Sequence, residues 1–558
     1  MTHLLNLLAA IALLVWGTQQ VRTGILRVLG ANLRQVLAQS VSNRGNALLS
    51  GLGVTALLQS STATALIIAS FVGQGLVTLP SALVVMLGAD IGTSLMALVF
   101  SRDMSWLSPL FIFVGVVLFI SRQATTVGRV GRVLIGLGLM LLALGLVKES
   151  ASILTQAPAI KVMLNSLSSD LLLEITLGAV LAVLCYSSLA VVLLTATLAA
   201  SGVVPVEVAL GLVLGANLGS GLLAVLTTLS SNVATRQVPL GNLVFKLLGV
   251  ALAAPLIGLW IQHIRPLLGD TVTVVVVFHL SFNLLVGMVF IGLTHWVARW
   301  VNFMLPQTPQ STVTGRQRHL DPSALATPSV ALSCAVREAM HQADVIETML
   351  RGVLEVIKHD DQKLAQELQK LDDTVDELYS DIKYYLTKIS REALSESEGK
   401  RWTDIISFTI NMEQIGDIIE RVLMDIEDKK IKKGRTFSHA GMGEITELHT
   451  SLVNNLRLGM SVFLNGSLRD AQRLLEEKTR FRDLEREYAG THLDRLFVNT
   501  LQSIETSSLH LDLISDLKRI NSHICSIAYP ILDSAGALAP SRLRLSVLDT
   551  DPAITTSK

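Results

Sequence analysis

The sequence predicts an all-α chain in two parts: a polytopic membrane domain with inverted repeats and re-entrant hairpins, then a soluble pair of three-helix bundles. Three observations carry this. The 558 residues are 50% hydrophobic and only 16% charged, against about 25% charged in an average soluble chain. The formal net charge is zero but unevenly divided: residues 1–303 hold 14 Lys/Arg and 7 Asp/Glu, leaving 31 and 38 for residues 304–558. Finally, the first part repeats itself. Adding 127 carries Ser60-Ser61 onto Ser187-Ser188, and Gly88-Ala89-Asp90-Ile91-Gly92-Thr93 onto Gly215-Ala216-Asn217-Leu218-Gly219-Ser220. From Gly51/Gly178 to Ser94/Gly221 the register needs no gap, and 15 of the 44 positions are identical. The expected domains are 1–303 (repeats about 1–130 and 131–303), a linker 304–327, a cytoplasmic helical domain 328–533 and a flexible tail 534–558.

In chain order, Leu4–Trp16 is apolar, has no Lys or Arg before it and no small-residue cleavage pattern, so it reads as the first membrane helix rather than a signal peptide. Membrane spans are expected at 4–20, 80–100, 106–121, 131–148, 205–229, 239–261 and 271–298. Residues 24–44, with Arg27, Arg34 and Arg44 among apolar residues, suit an interfacial helix. Residues 46–73 and 170–201 are broken by Ser-Ser into arms shorter than the roughly 20 residues a crossing needs. They read as re-entrant hairpins, whose polar tips are tolerable only where protein or water satisfies them. With the N-terminus outside, Arg22, Arg27, Arg34, Arg44, Arg122, Arg129, Arg132, Arg236 and Arg299 flank the cytoplasmic side. Arg102, Lys148, Lys161 and Arg265 flank the outer side, a count of nine against four that obeys the positive-inside rule. Three crossings separate the two repeat starts, and an odd number inverts the second repeat.

Four prolines (Pro306, Pro309, Pro322, Pro328) mark the linker. Charged amphipathic patterns then place helices near 328–358, 362–390, 398–428, 442–467, 468–500 and 502–532. Gly434, Gly441 and the basic run Lys429–Arg435 divide them into two sets of three. There is no P-loop, dinucleotide fingerprint, zinc-protease motif or nucleophile elbow, so an ATP-driven pump and an enzyme are disfavoured. No basic patch suggests nucleic acid, and the three cysteines show no pairing or metal spacing.

Polar, glycine-broken segments at matching positions of two halves point to a secondary-transporter site. Gln59, Ser60, Ser61, Thr62, Ser187 and Ser188 offer hydroxyls and an amide. With helix N-termini they can hold an oxyanion, and their oxygens can ligate sodium. Asp90, Thr93, Asn217 and Ser220 belong to the second repeated motif. Asp90 reads as the one carboxylate inside the hydrocarbon region. It suits a sodium ligand or proton carrier, or alternatively a structural carboxylate paired with Lys246. The position of Gly88-x-x-x-Gly92 and Gly215-x-x-x-Gly219, about 30 residues after each Ser-Ser, favours a role beyond helix packing. His279 and Asn283, four residues apart, read as packing polar residues. In the soluble part, Asp372 with Asp376 and Glu413 with Asp417 are i, i+4 acidic pairs. Facing one another they would hold a divalent or iron metal; apart, they are solvated faces.

The Gln59-Ser60-Ser61 and Gly88-Ala89-Asp90-x-Gly92-Thr93 motifs resemble those of the bacterial sodium–phosphate cotransporters, related to the animal type II sodium-dependent phosphate transporters, over about residues 1–300. Tyr186 stands where that family often has Gln, and Asp90 where it often has Asn. Glu413-Gln414-Ile415-Gly416-Asp417 and Leu517-Lys518-Arg519-Ile520-Asn521-Ser522-His523 resemble the PhoU phosphate-signalling family over about residues 330–532. Lys518 and Ser522 depart from the acidic pattern, so no metal cluster is expected in the second bundle. The resemblance implies a secondary active transporter of inorganic phosphate coupled to sodium and regulated by a cytoplasmic PhoU-like domain. It would sit in the inner membrane among lipids, as a homodimer or with a phosphate-signalling protein. Two rivals stay open: export of phosphate or transport of another oxyanion, and a phosphate-signalling receptor that transports nothing.

Overall fold

In a computed structural model of the chain, residues 2–538 are described apart from 42, 103, 123–124, 155–169, 230, 307–318, 390–393 and 498–503. Lys161, Pro309 and the tail from 539 lie outside the described residues. The described elements are all helical, and the chain divides into two compact units. The first runs to residue 310 and takes in Asp321–Ala331; the second begins its helical body at Leu332.

The first unit is two copies of one arrangement. Copy one has α1 (Thr2–Ser40), the hairpin α2 (Arg44–Leu58) and α3 (Ser61–Gly73), and α4 (Leu79–Phe100), followed by α5 (Leu107–Ser121), which packs on the helix after it. Copy two has α6 (Thr126–Leu154), the hairpin α7 (Leu171–Leu184) and α8 (Ser188–Ala200), and α9 (Val206–Thr227), followed by α10 (Val233–Ala253). Then come α11 (Thr271–Phe290) and α12 (Thr294–Met304). Helices α1 and α6 pack along each other, α2 lies on α4, and α7 lies on α9. Helix α10 leans on α3 and α9, while α11 leans on α8 and α4. Among the described residues, five helical stretches are long and apolar enough to cross a membrane: Leu79–Phe100, Thr126–Ser150, Val206–Thr227, Val233–Leu268 and Thr271–Phe290.

The hairpin arms α2 and α3 have 15 and 13 residues. At 1.5 Å per residue they are about 22 and 20 Å long, short of a hydrocarbon core of about 30 Å. Each hairpin ends in a glycine with positive φ, Gly75 at 72° and Gly202 at 73°. That left-handed turn lets the backbone fold back over the last turn of the second arm, with Leu76 N–H on Phe71 O at 2.9 Å and Val203 N–H on Leu198 O at 3.0 Å.

Close helix contact explains the repeated glycines. A side chain at Gly88 would strike the Leu48 carbonyl, and one at Gly92 the Leu52 backbone. At the +127 positions, Gly215 meets Ile175 and Gly219 meets Ala179. Both Gly-x-x-x-Gly pairs therefore seat a hairpin arm against the next helix. This corrects the expectation that their position argues against packing.

Helix α1 is also a correction. It is one helix of 39 residues, not a span followed by a separate interfacial helix. Its apolar stripe continues past the arginines, because Val21, Leu26, Leu33 and Leu37 are buried. Arg34 is neutralised rather than offered to lipid headgroups: its guanidinium donates to Asp321 Oδ2 at 3.1 Å. Ser70 near the end of α3 donates to the same oxygen at 2.6 Å.

The second unit carries α13 (Pro328–His359), α14 (Gln362–Thr387) and α15 (Glu396–Ile426), then α16 (His439–Asn465), α17 (Leu468–Phe497) and α18 (Ser507–Ser526). These are the two expected three-helix bundles. Gln342 of α13 donates to Val375 O and Thr409 O at 3.4 Å each, tying α14 and α15 to it. Asn455 of α16 and Asn521 of α18 bond at 3.0 Å in the second bundle.

Candidate functional site

Each hairpin breaks at one residue with positive φ, Gln59 at 54° and Tyr186 at 51°. The next residue is extended and caps the following helix. Ser60 Oγ accepts from Ala63 N–H and Ser187 Oγ from Ala190 N–H, both at 3.2 Å. Two helix N-termini, with their unbonded N–H groups and positive dipole ends, thus sit at equivalent tips. Both tips line one cavity of about 200 Å³. Gln59, Ser60, Tyr186 and Ser187 come from the tips, and Thr18, Gln19 and Arg22 from one face of α1. Gln59 Oε1 is buried without a partner. The arrangement suits a small oxyanion: hydroxyl and helix-terminal donors from two sides and one guanidinium, the side chain that matches tetrahedral oxyanions.

Arg22 is the residue that sequence reading assigned elsewhere, to the cytoplasmic flank. Ending the first span at residue 20 put it outside the membrane, whereas α1 runs on for eighteen residues beyond it. The signal was present as Thr18, Gln19 and Arg22, polar positions at helical spacing.

The remaining predicted residues fall into separate places. Ser61, Thr62 and Ser188 are buried in the first turns of α3 and α8, directly after the cavity-lining serines in the chain. In the first hairpin Thr55 and Thr64 clip the arms together at 2.7 Å; the corresponding Ala182 and Val191 cannot. Asp90 forms an ion pair with Lys246 at 2.9 Å, and Lys246 also donates to Ser220 at 2.6 Å. Asn217 accepts from Asn283 at 3.2 Å, and Thr93 donates to Ala89 O at 3.2 Å. So Asp90 and Ser220, from different repeats, meet through one lysine. Glu174 on α7, packed against Gly211, and Asp321 are buried carboxylates too, so Asp90 is not alone among buried acids of this unit.

In the second unit Asp376, Glu413 and Asp417 converge, with one carboxylate oxygen from each within 4.8 Å of the others. Asp372 is not in that group. It is buried, with Oδ1 unpartnered and aimed at Gly416. Burial, then the repulsion of Glu420, Asp376 and Asp417, pushes its carboxyl up to about 7. Burial and neighbouring carboxylates likewise raise Asp376 and Glu413. Three hard oxygen donors with mutual repulsion to relieve fit a divalent cation or iron.

Comparison with known proteins gives two family matches: the Na+/Pi-cotransporter family over residues 13–149 and the PhoU domain over residues 340–426. The chain is 46% identical, over 96% of its own length and 98% of theirs, to proteins of Escherichia coli (strain K12) and Salmonella typhimurium, each named "Putative inorganic phosphate export protein YjbB". It is 23% identical to the "Uncharacterized protein YqeW" of Bacillus subtilis, over 55% of this chain and 99% of that one. No solved structure matches it significantly.

Proposed function

The chain belongs to the Na+/Pi-cotransporter family, in the form that carries a C-terminal PhoU domain, and from that premise we propose that it carries inorganic phosphate across the membrane through the cavity between its two hairpin tips. One observation carries the reading: Ser60, Ser187 and Arg22 line one cavity although they come from three separate segments. Phosphate would take hydroxyl donors from both tips, helix-terminal N–H groups and the Arg22 guanidinium. Rocking of the copies about the tips would expose the cavity to alternate sides.

Export is the proposed net direction, after the printed name of relatives 46% identical over nearly their whole length. Sodium, named by the family, is the proposed coupling ion, with Thr93, Asn217 and the hydroxyls of Ser61, Thr62 and Ser188 as its oxygen ligands. The N-terminus is proposed outside and the PhoU domain inside. In support, Arg44 and His295 (3.0 Å apart) and the Arg34–Asp321–Ser70 cluster gather the flanks expected in the cytoplasm. The PhoU domain is proposed to regulate the carrier, with a metal on Asp376, Glu413 and Asp417.

Proteoliposomes loaded with radiolabelled phosphate test this. Saturable efflux, competed by arsenate loaded with the phosphate but not by sulfate loaded with it, is the expected result. Efflux of sulfate instead would turn the reading to another oxyanion. Phosphate binding without flux in either direction, under any ion gradient, would leave the receptor reading.

A further inference from the structure

The family's coupling ion is a free cation, yet this chain brings one of its own. Asp90 on α4 and Ser220 on α9 bring one oxygen-bearing side chain from each repeat to a single point, both of them buried. Oxygen donors with one carboxylate are what a hard monovalent cation selects. That point is filled. The Lys246 ammonium lies 2.9 Å from Asp90 Oδ1 and 2.6 Å from Ser220 Oγ, on a side chain only 2% exposed. Asn242, one turn earlier on the same helix, interacts with the Asp90 carboxylate and leaves its amide oxygen unpartnered. At the repeat-related position, Asn217 is neutral and bonded to Asn283.

We propose that Lys246 is a tethered cation occupying what would otherwise be a sodium site formed by Asp90 and Ser220, so that sodium does not bind at Asp90. A free ion can be released on the far side with its substrate, whereas an ammonium on a helix cannot. An inward sodium gradient therefore does no work through Asp90. Lys246 on this view sets ion specificity, and the inference deepens the transport reading without depending on phosphate as the cargo.

The test is sodium binding by the purified full-length chain. It is read as the sodium-dependent shift in melting temperature, with choline at equal ionic strength as control, in wild type, Lys246→Gln and the double variant Asp90→Asn/Lys246→Gln. Lys246→Gln is expected to show a sodium-dependent rise of several degrees beyond that of wild type, and in vesicles a sodium dependence of flux at least fivefold greater than wild type's. The double variant should match wild type, because without the carboxylate the site has lost its charge. An equal sodium response in Lys246→Gln and wild type would overturn the proposal. So would a double variant that has lost a response wild type possesses, for then Asp90 already held sodium beside the lysine. Removing one member of a buried pair is harsher than removing both. If Lys246→Gln does not fold, the comparison of wild type with the neutral double variant still decides. The melting shift needs no transport, so absent phosphate flux would count against the phosphate reading alone.

Discussion

Ser60 and Ser187 each use one hydroxyl twice. The oxygen accepts the N–H of Ala63 or Ala190, and the hydroxyl proton is left to donate into the cavity. Replacement by Ala removes a helix cap, about 1 kcal/mol, and leaves a buried anion short of a donor, about 1–3 kcal/mol. At 1.4 kcal/mol per decade, Ser60→Ala or Ser187→Ala is expected to weaken apparent phosphate affinity roughly ten- to hundredfold. Ser61→Ala and Ser188→Ala, one position deeper, should act less. Concentration dependence of flux at matched protein levels separates the pairs. The sequence made the repeated Ser-Ser visible but not which serine faces the ligand. That depends on the left-handed turn at Gln59 and Tyr186, and non-glycine residues rarely advertise positive φ.

At the scale of elements, each hairpin is seated by glycine contacts. Gly88→Ala and Gly215→Ala would drive a methyl group into the Leu48 or Ile175 carbonyl and push the arm off its partner. Each is expected to cost about 1–3 kcal/mol, seen as a lowered melting temperature in detergent. Gly53→Ala is the control: it lies on α2 with nothing within 4 Å. There a helical Gly→Ala change should stabilise by up to about 1 kcal/mol. Five of the seven expected spans, the hairpins and the six soluble helices were legible because hydropathy and 3.6-residue periodicity are local signals; the expected span 106–121 is a helix of only 15 residues, shorter than a crossing needs. The continuity of α1 was not, because the partner that lets Arg34 be buried is Asp321, 287 residues away. The same distance problem hid Arg22, whose role depends on where two remote hairpins end.

For the whole molecule, the two units have separate chemistry, and the soluble one is tested through its acidic triad. The full chain is expected to purify with a divalent metal or iron, measured by elemental analysis. Asp376→Asn/Asp417→Asn should remove it while helical circular dichroism persists. Metal retained by that variant would exclude the triad as the binding site. Acid should also release the metal, since protons compete for carboxylates whose pKa values burial and mutual repulsion hold above the ordinary range.

The central claim is that the cavity joining both hairpin tips to α1 is where phosphate binds, and Arg22 is its one guanidinium. A hydrogen bond to a charged group contributes about 1.5–3 kcal/mol. The most direct measurement is calorimetric phosphate binding to purified wild-type and Arg22→Gln protein. The account predicts affinity reduced at least tenfold in Arg22→Gln, with the melting temperature little changed; equal affinities in the two proteins would contradict it.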